Sequence, residues 1–274
     1  MILWATVAYD GPRFAGFQRQ NDAQTVQGSL EEALFTIYKE NITVQGCGRT
    51  DSGVHATGQV VSFAVPDHRD RLLPSLNALT PEGLSILNVD PAPSDFHPRF
   101  QCIAREYEYL IHRSNLRHPF LEGRVWRNKE APEASALRSM TPELLGERDF
   151  GAFTRPEYLQ EPTRRYLDRI LVRNQYDRIS GQWLLSIRIR GNAFLHNMIR
   201  IMVGTMLQLA KEQPGEEGRD ILRGILESRD RNRAGPTAPA SGLYFRRAYY
   251  PADRSFQEAG LCTLSGYPEF RSRK

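Results

Sequence analysis

One carboxylate stands out in this 274-residue chain: Asp51, in the stretch GCGRTDSGVHATGQVVSF at residues 46–63. Glycines, Arg49 and His55 surround it, and an apolar segment follows directly. Asp-Ser-Gly also marks the aspartic proteases, whose chemistry needs two carboxylates sharing a proton. No second Asp-Ser-Gly or Asp-Thr-Gly occurs, so a protease would require a symmetric dimer. Ser52 lies outside any Gly-x-Ser-x-Gly elbow, which sets aside a Ser52–His55 hydrolase. A loop aspartate ordinarily caps a turn through its own backbone. The specificity of the neighbours here, an arginine, a histidine and several glycines, weighs against that reading alone.

The elements that must carry this loop are legible from periodicity. ILWATVAY near the start predicts a strand, followed by the turn DGPRFAG. SLEEALFTIYKE predicts a helix, with Ser29 and Glu32 as a capping box and Leu30, Ala33, Leu34 and Ile37 on one face. ITVQG and GQVVSFAV predict strands on either side of the Asp51 loop. A short helix is expected through RDRLLPSLNAL and a strand at LSILNVD. CIAREYEYLIH predicts a long strand with Arg105, Tyr107, Tyr109 and Ile111 on one face. A helical segment near 133–145 is expected to break at Pro142. ILVRNQYD and WLLSIRIRG read as paired strands. AFLHNMIRIMVGTMLQLAKEQ reads as a long helix with Phe194, Met198, Ile201, Thr205 and Leu209 on one stripe. A further helix, GRDILRGILESRD, leads to the strand GLYFRRAYY.

Strict βαβα alternation is absent, so the fold class is α+β: two half-domains with antiparallel sheets, helices on one face and a continuous sheet. The expected division is 1–102, carrying the Asp51 loop, and 103–274, carrying the tyrosine strand and the arginine helix. The groove between the halves is the default site.

Composition narrows the chemistry. Hydrophobic residues make up 40% and charged residues 25%, ordinary for a soluble protein. No apolar run reaches bilayer length and MILWATVAYD has no signal-peptide form, so a cytoplasmic protein with no membrane partner is expected. Cys47, Cys102 and Cys262 show no paired spacing, and the six histidines show no ligand spacing. Neither a metal nor a cofactor is expected. Net charge is +4, and all but four of the 36 Lys and Arg residues are arginine. That bias fits an RNA partner through phosphate contact and base stacking, or a GC-rich or thermophilic origin.

The stretch around Asp51 resembles the central motif of the tRNA pseudouridine synthase A family, which isomerises uridines in the anticodon stem-loop. YDGPRFAGFQRQ, DFHPRFQCIAREYEYLI, GNAFLHNMIRIMVG and APASGLYF resemble further motifs of that family, in family order, over most of the chain. NALTPEG departs from the family pattern, with Thr80 between Leu79 and Pro81. The resemblance implies the pseudouridine synthase fold, uridine targets at tRNA positions 38, 39 and 40, base flipping, and a homodimer holding tRNA. It implies that Asp51 is the nucleophile, attacking either ribose C1′ or the uracil ring, and that Arg200 pairs with it. Tyr107 would lie against the target base. Arg49 would contact the RNA backbone or fill the space of the flipped base. His55, Gln59 and Leu243 are assigned to the substrate pocket. A non-catalytic RNA-binding module is the alternative, and it would not need Asp51 paired with Arg200.

Overall fold

The computed structural model describes residues 1–159 and 162–268. The chain forms two compact units: Met1–Arg105 together with the chain from Tyr244 onward, and Glu106–Leu243. The division drawn from the sequence contains no such return of the chain.

The first unit begins with β1 (Ile2–Tyr9), a short 3-10 turn at Gly11–Arg13, and α1 (Val26–Tyr38). Then come β2 (Gln45–Gly46), β3 (His55–Ala64), α2 (Leu72–Leu79) and β4 (Leu84–Pro91). β1 lies between β3 and β4 and is antiparallel to both. Leu3, Val7, Leu30, Leu34, Val61 and Leu76 are among its core side chains, all essentially inaccessible.

α1 starts earlier than its apolar stripe predicts. The cap is Thr25, whose Oγ1 accepts the Gly28 N–H at 3.2 Å, and not Ser29 with Glu32. Ser29 and Gln27 are buried inside the first turn. Gln27 Nε2 donates to Val44 O and its Oε1 accepts the Arg19 N–H, so polar residues do the inward-facing work there. ITVQG contributes only the two-residue β2, and the strand after the loop starts at His55, which is therefore a strand residue.

The second unit contains β5 (Ala104–His112, its first two residues in the first unit), β6 (Trp126–Arg127), α3 (Ala134–Leu144), β7 (Gly146–Asp149), β8 (Arg164–Asp177) and β9 (Gln182–Gly191). α4 (Met198–Glu212) and α5 (Glu216–Ser228) complete it. Strand order is β5-β9-β8-β7, with β6 parallel to β5. β8 and β9 form the expected antiparallel pair. α3, α4 and α5 pack on one another, and α3 also meets β8.

Two helix expectations are corrected here. α3 runs through Pro142 to Leu144. The proline lacks the N–H that would reach Arg138 O, and Thr141 Oγ1 donates to that carbonyl instead at 3.0 Å. α4 begins only at Met198, because Asn197 takes a left-handed conformation at φ 59°. Phe194 thus stands outside the helix, edge-on to Tyr107 at 5.2 Å.

β10 (Leu243–Pro251), α6 (Arg254–Glu258) and β11 (Thr263–Leu264) bring the chain back to the first unit. β10 runs parallel beside β3, pairing Tyr244 with His55 and Phe245 with Ala56, and β11 pairs with β10. The architecture is mixed α+β. Among the described residues no helix is long and apolar enough to cross a membrane.

Candidate active site

Asp51 sits between β2 and β3, half-buried, on a loop held along both arms. On the incoming arm, Cys47 N–H donates to Val60 O at 2.8 Å, and Gln59 Nε2 donates to Gly48 O at 2.7 Å. Arg105 reaches Cys47 O through Nε and a terminal nitrogen at 3.3 and 3.1 Å. That terminal nitrogen also donates to Arg99 O at 2.9 Å. Beside the aspartate, Thr50 O accepts the Phe17 N–H at 3.0 Å, and Thr50 Oγ1 lies 2.8 Å from the Tyr9 hydroxyl. Beyond it, Val54 N–H donates back to Asp51 O at 3.1 Å and closes the turn. The carboxylate is therefore presented by backbone that is tied down on either side.

The N-terminal turn DGPRFAG lies directly on this loop. A side chain at Gly11 would place its Cβ 2.4 Å from the Val54 carbonyl carbon. One at Gly16, where φ is +101°, would come within 2.9 Å of Thr50 O. Only glycine permits that approach, which explains why this turn carries glycine at both positions.

His55 and Gln59 are both buried, at 3% and 0% exposure, beneath the loop. His55 Nδ1 accepts the Gly11 N–H at 3.2 Å and lies 3.3 Å from Asp10 Oδ1. Its ring stacks on Tyr244. Arg49 is exposed.

The second unit organises the other named residues. Tyr107, on β5, is 8% exposed. Arg200, in the first turn of α4, is half-buried; its Nε donates to Ala238 O and a terminal nitrogen to Asn197 Oδ1, both at 2.8 Å. Ala238 N–H in turn donates to Arg200 O at 3.1 Å. Gly204 lets the 236–238 segment lie on α4, since a Cβ there would collide with Pro236 O. Tyr109 OH donates to Pro239 O at 2.7 Å. Burial pushes that phenol well above its ordinary value, and the charge of Arg200 opposes the rise only in part. Leu243 closes this group, buried at the start of β10.

Sequence reasoning missed Tyr9, Thr50 and Arg105 as supports of the loop. All three lie inside the quoted motifs, but their contacts span 41 positions in one case and 58 in the other. Among the described residues no group of three or more His, Cys, Asp or Glu side chains is placed to hold a metal ion.

A family model described as tRNA pseudouridine synthase matches residues 5–101 and 140–251. The tRNA pseudouridine synthase A of Leptospira biflexa is 43% identical over 250 residues, 89% of this chain and 92% of its own length. That of Brachyspira hyodysenteriae is 39% identical over 252 residues, covering 89% and 96%. That of Thermotoga maritima is 35% identical over 249 residues, covering 90% and 98%. With a match of that extent running through the clamped Asp51 loop and the Arg200 helix alike, the chain belongs to the tRNA pseudouridine synthase family, and it is an isomerase.

Proposed function

We propose that the chain converts uridine to pseudouridine in the anticodon stem-loop of tRNA, at positions 38, 39 and 40, with Asp51 as the nucleophile. The observation that supports this best is the fixation of the Asp51 loop from beneath by Gln59, Tyr9 and Arg105, with the carboxylate left half-exposed. The reaction breaks the bond from C1′ to N1, turns the freed uracil, and forms a bond from C1′ to C5. N1 gains a proton and C5 loses one, so the atoms balance with no added reagent. A rigidly held carboxylate suits this chemistry, because recombination wins only while the fragments stay oriented.

The target base must leave its stack to reach such a loop. Arg49, exposed beside Asp51, is assigned to the RNA backbone or to the gap left by the base. Tyr107, braced by Phe194, is assigned to the face of the base, with Leu243 beside it. Arg200, its guanidinium aimed by Ala238 O and Asn197 Oδ1, is assigned as the counter-charge that keeps Asp51 ionised. His55 and Gln59 act from below the loop. The working form is a cytoplasmic homodimer that recognises the folded tRNA by shape.

Tritium release from tRNA carrying [5-³H]uridine tests the reading. The wild type releases tritium; Asp51→Asn binds tRNA and releases none. Arg200→Met also loses release. Turnover by Asp51→Asn at the wild-type rate overturns the nucleophile assignment, and tRNA binding without release by the wild type would make the chain a binding module.

A further inference from the structure

We propose that Tyr9 is a positioning residue for the isomerisation, fixing through Thr50 the backbone from which Asp51 projects; this rests on the reading of Asp51 as nucleophile. Tyr9 ends β1, and the β1–β3 register is irregular between Val7 and Tyr9. An irregularity of that kind re-aims the side chain beyond it. The Tyr9 ring is buried edge-on against Phe14, centroids 6.3 Å apart. Its hydroxyl lies 2.8 Å from Oγ1 of Thr50, itself 6% exposed and joined by a peptide bond to Asp51.

Burial pushes the Tyr9 phenol far above its ordinary value, against the opposing effect of hydrogen bonding to Thr50 and then Gln59. The phenol therefore stays protonated. Its contribution is geometric. Gln59 holds Gly48 on one arm of the loop, and Tyr9 with the Phe17 N–H holds Thr50 on the other. Between these ties the Asp51 carboxylate has little freedom to drift from the reacting carbon. A displacement of about 1 Å at a reacting group costs on the order of a hundredfold in rate.

The test is steady-state tritium release from [5-³H]uridine tRNA, with kcat and KM resolved separately. Tyr9→Phe removes one oxygen from a packed ring; kcat is expected to fall about 10- to 100-fold with KM unchanged. Thr50→Val does the same, and combining the two adds little, because both remove one link. Thr50→Ser, which keeps the hydroxyl, retains wild-type kcat. Tyr38→Phe, which removes a hydroxyl donating to Asp67 O, is the control for a bond lost elsewhere in the same unit and leaves kcat unchanged. Wild-type kcat in folded Tyr9→Phe overturns the inference, as do multiplicative losses in the double variant. Should Tyr9→Phe fail to fold by circular dichroism, the contrast of Thr50→Val with Thr50→Ser decides: equal kcat in these two overturns it. An inert Asp51→Asn beside a fully active Tyr9→Phe defeats only the positioning role, whereas an active Asp51→Asn defeats the nucleophile reading beneath it.

Discussion

The imidazole of His55 and the phenol ring of Tyr244 lie face to face, centroids 4.5 Å apart and planes within 12°. His55 is the first residue of β3 and also accepts the Gly11 N–H. It therefore joins three stretches of chain at the base of the Asp51 loop. His55→Phe keeps the stack but strands that N–H, a loss of about 1–3 kcal/mol. His55→Ala loses the stack as well, about 1 kcal/mol more. Urea unfolding measures both. A His55→Phe variant as stable as wild type, with KM for tRNA raised, would put His55 in contact with substrate.

Gly16 and Gly215 both hold positive φ, at +101° and +83°, but only Gly16 faces a neighbour. Alanine at either site costs about 1–3 kcal/mol of backbone strain. Gly16→Ala must also push against Thr50 O, so kcat falls with stability. Gly215→Ala, with nothing within 4 Å of its Cβ, loses stability and keeps kcat. Equal kcat in the two variants would separate the N-terminal turn from catalysis.

Glu108 is 2% exposed on β5, accepting the Ser186 hydroxyl at 2.6 Å and Arg188 Nε at 2.9 Å. Glu108→Ala leaves a largely buried guanidinium without this carboxylate, at about 3 kcal/mol. Replacing both partners, as Glu108→Leu with Arg188→Met, restores most of that. Calorimetric melting distinguishes the variants; an unchanged Tm in Glu108→Ala would show the pair to be energetically idle.

Glu143 on α3 and Arg223 on α5 form a two-pronged pair, Nε to Oε2 at 3.0 Å and a terminal nitrogen to Oε1 at 3.1 Å. The hydrogen bond from Arg223 holds the Glu143 carboxyl below its ordinary value, against a smaller opposing effect of burial. A carboxyl depressed in the folded state stabilises above its unfolded pKa, and that contribution is lost as pH falls through the folded value. Arg223→Ala should therefore melt below wild type at pH 7, with the gap closing under acid conditions below about pH 4. A gap that persists in acid would mean that packing, not charge, carries the contact.

Local alternation and motif chemistry made much of this legible. β1 spans Ile2–Tyr9 as its pattern predicts, and β8 pairs antiparallel with β9 as the two neighbouring strand patterns lead one to expect. Element starts were harder. The inward side of the first turn of α1 is filled by Gln27 and Ser29, so an apolar stripe cannot register it. The stripe assigned to α4 included Phe194, yet a left-handed Asn197 stops the helix short of it. The Asp51 loop announced itself through residue types. Its supports did not, because a tyrosine ending a strand reads the same whether its hydroxyl meets water or Thr50.

The return of the chain also orders events during synthesis. The second unit, Glu106–Leu243, is one uninterrupted segment and can close on itself as soon as it leaves the ribosome. The first unit cannot, because Tyr244 and β10 emerge only after all of the second. Until then His55 has no ring to lie against and β3 lacks its parallel neighbour. The base of the Asp51 loop, where Tyr244 stacks on His55, is thus among the last parts of the first unit to set, after the whole of the second has been made.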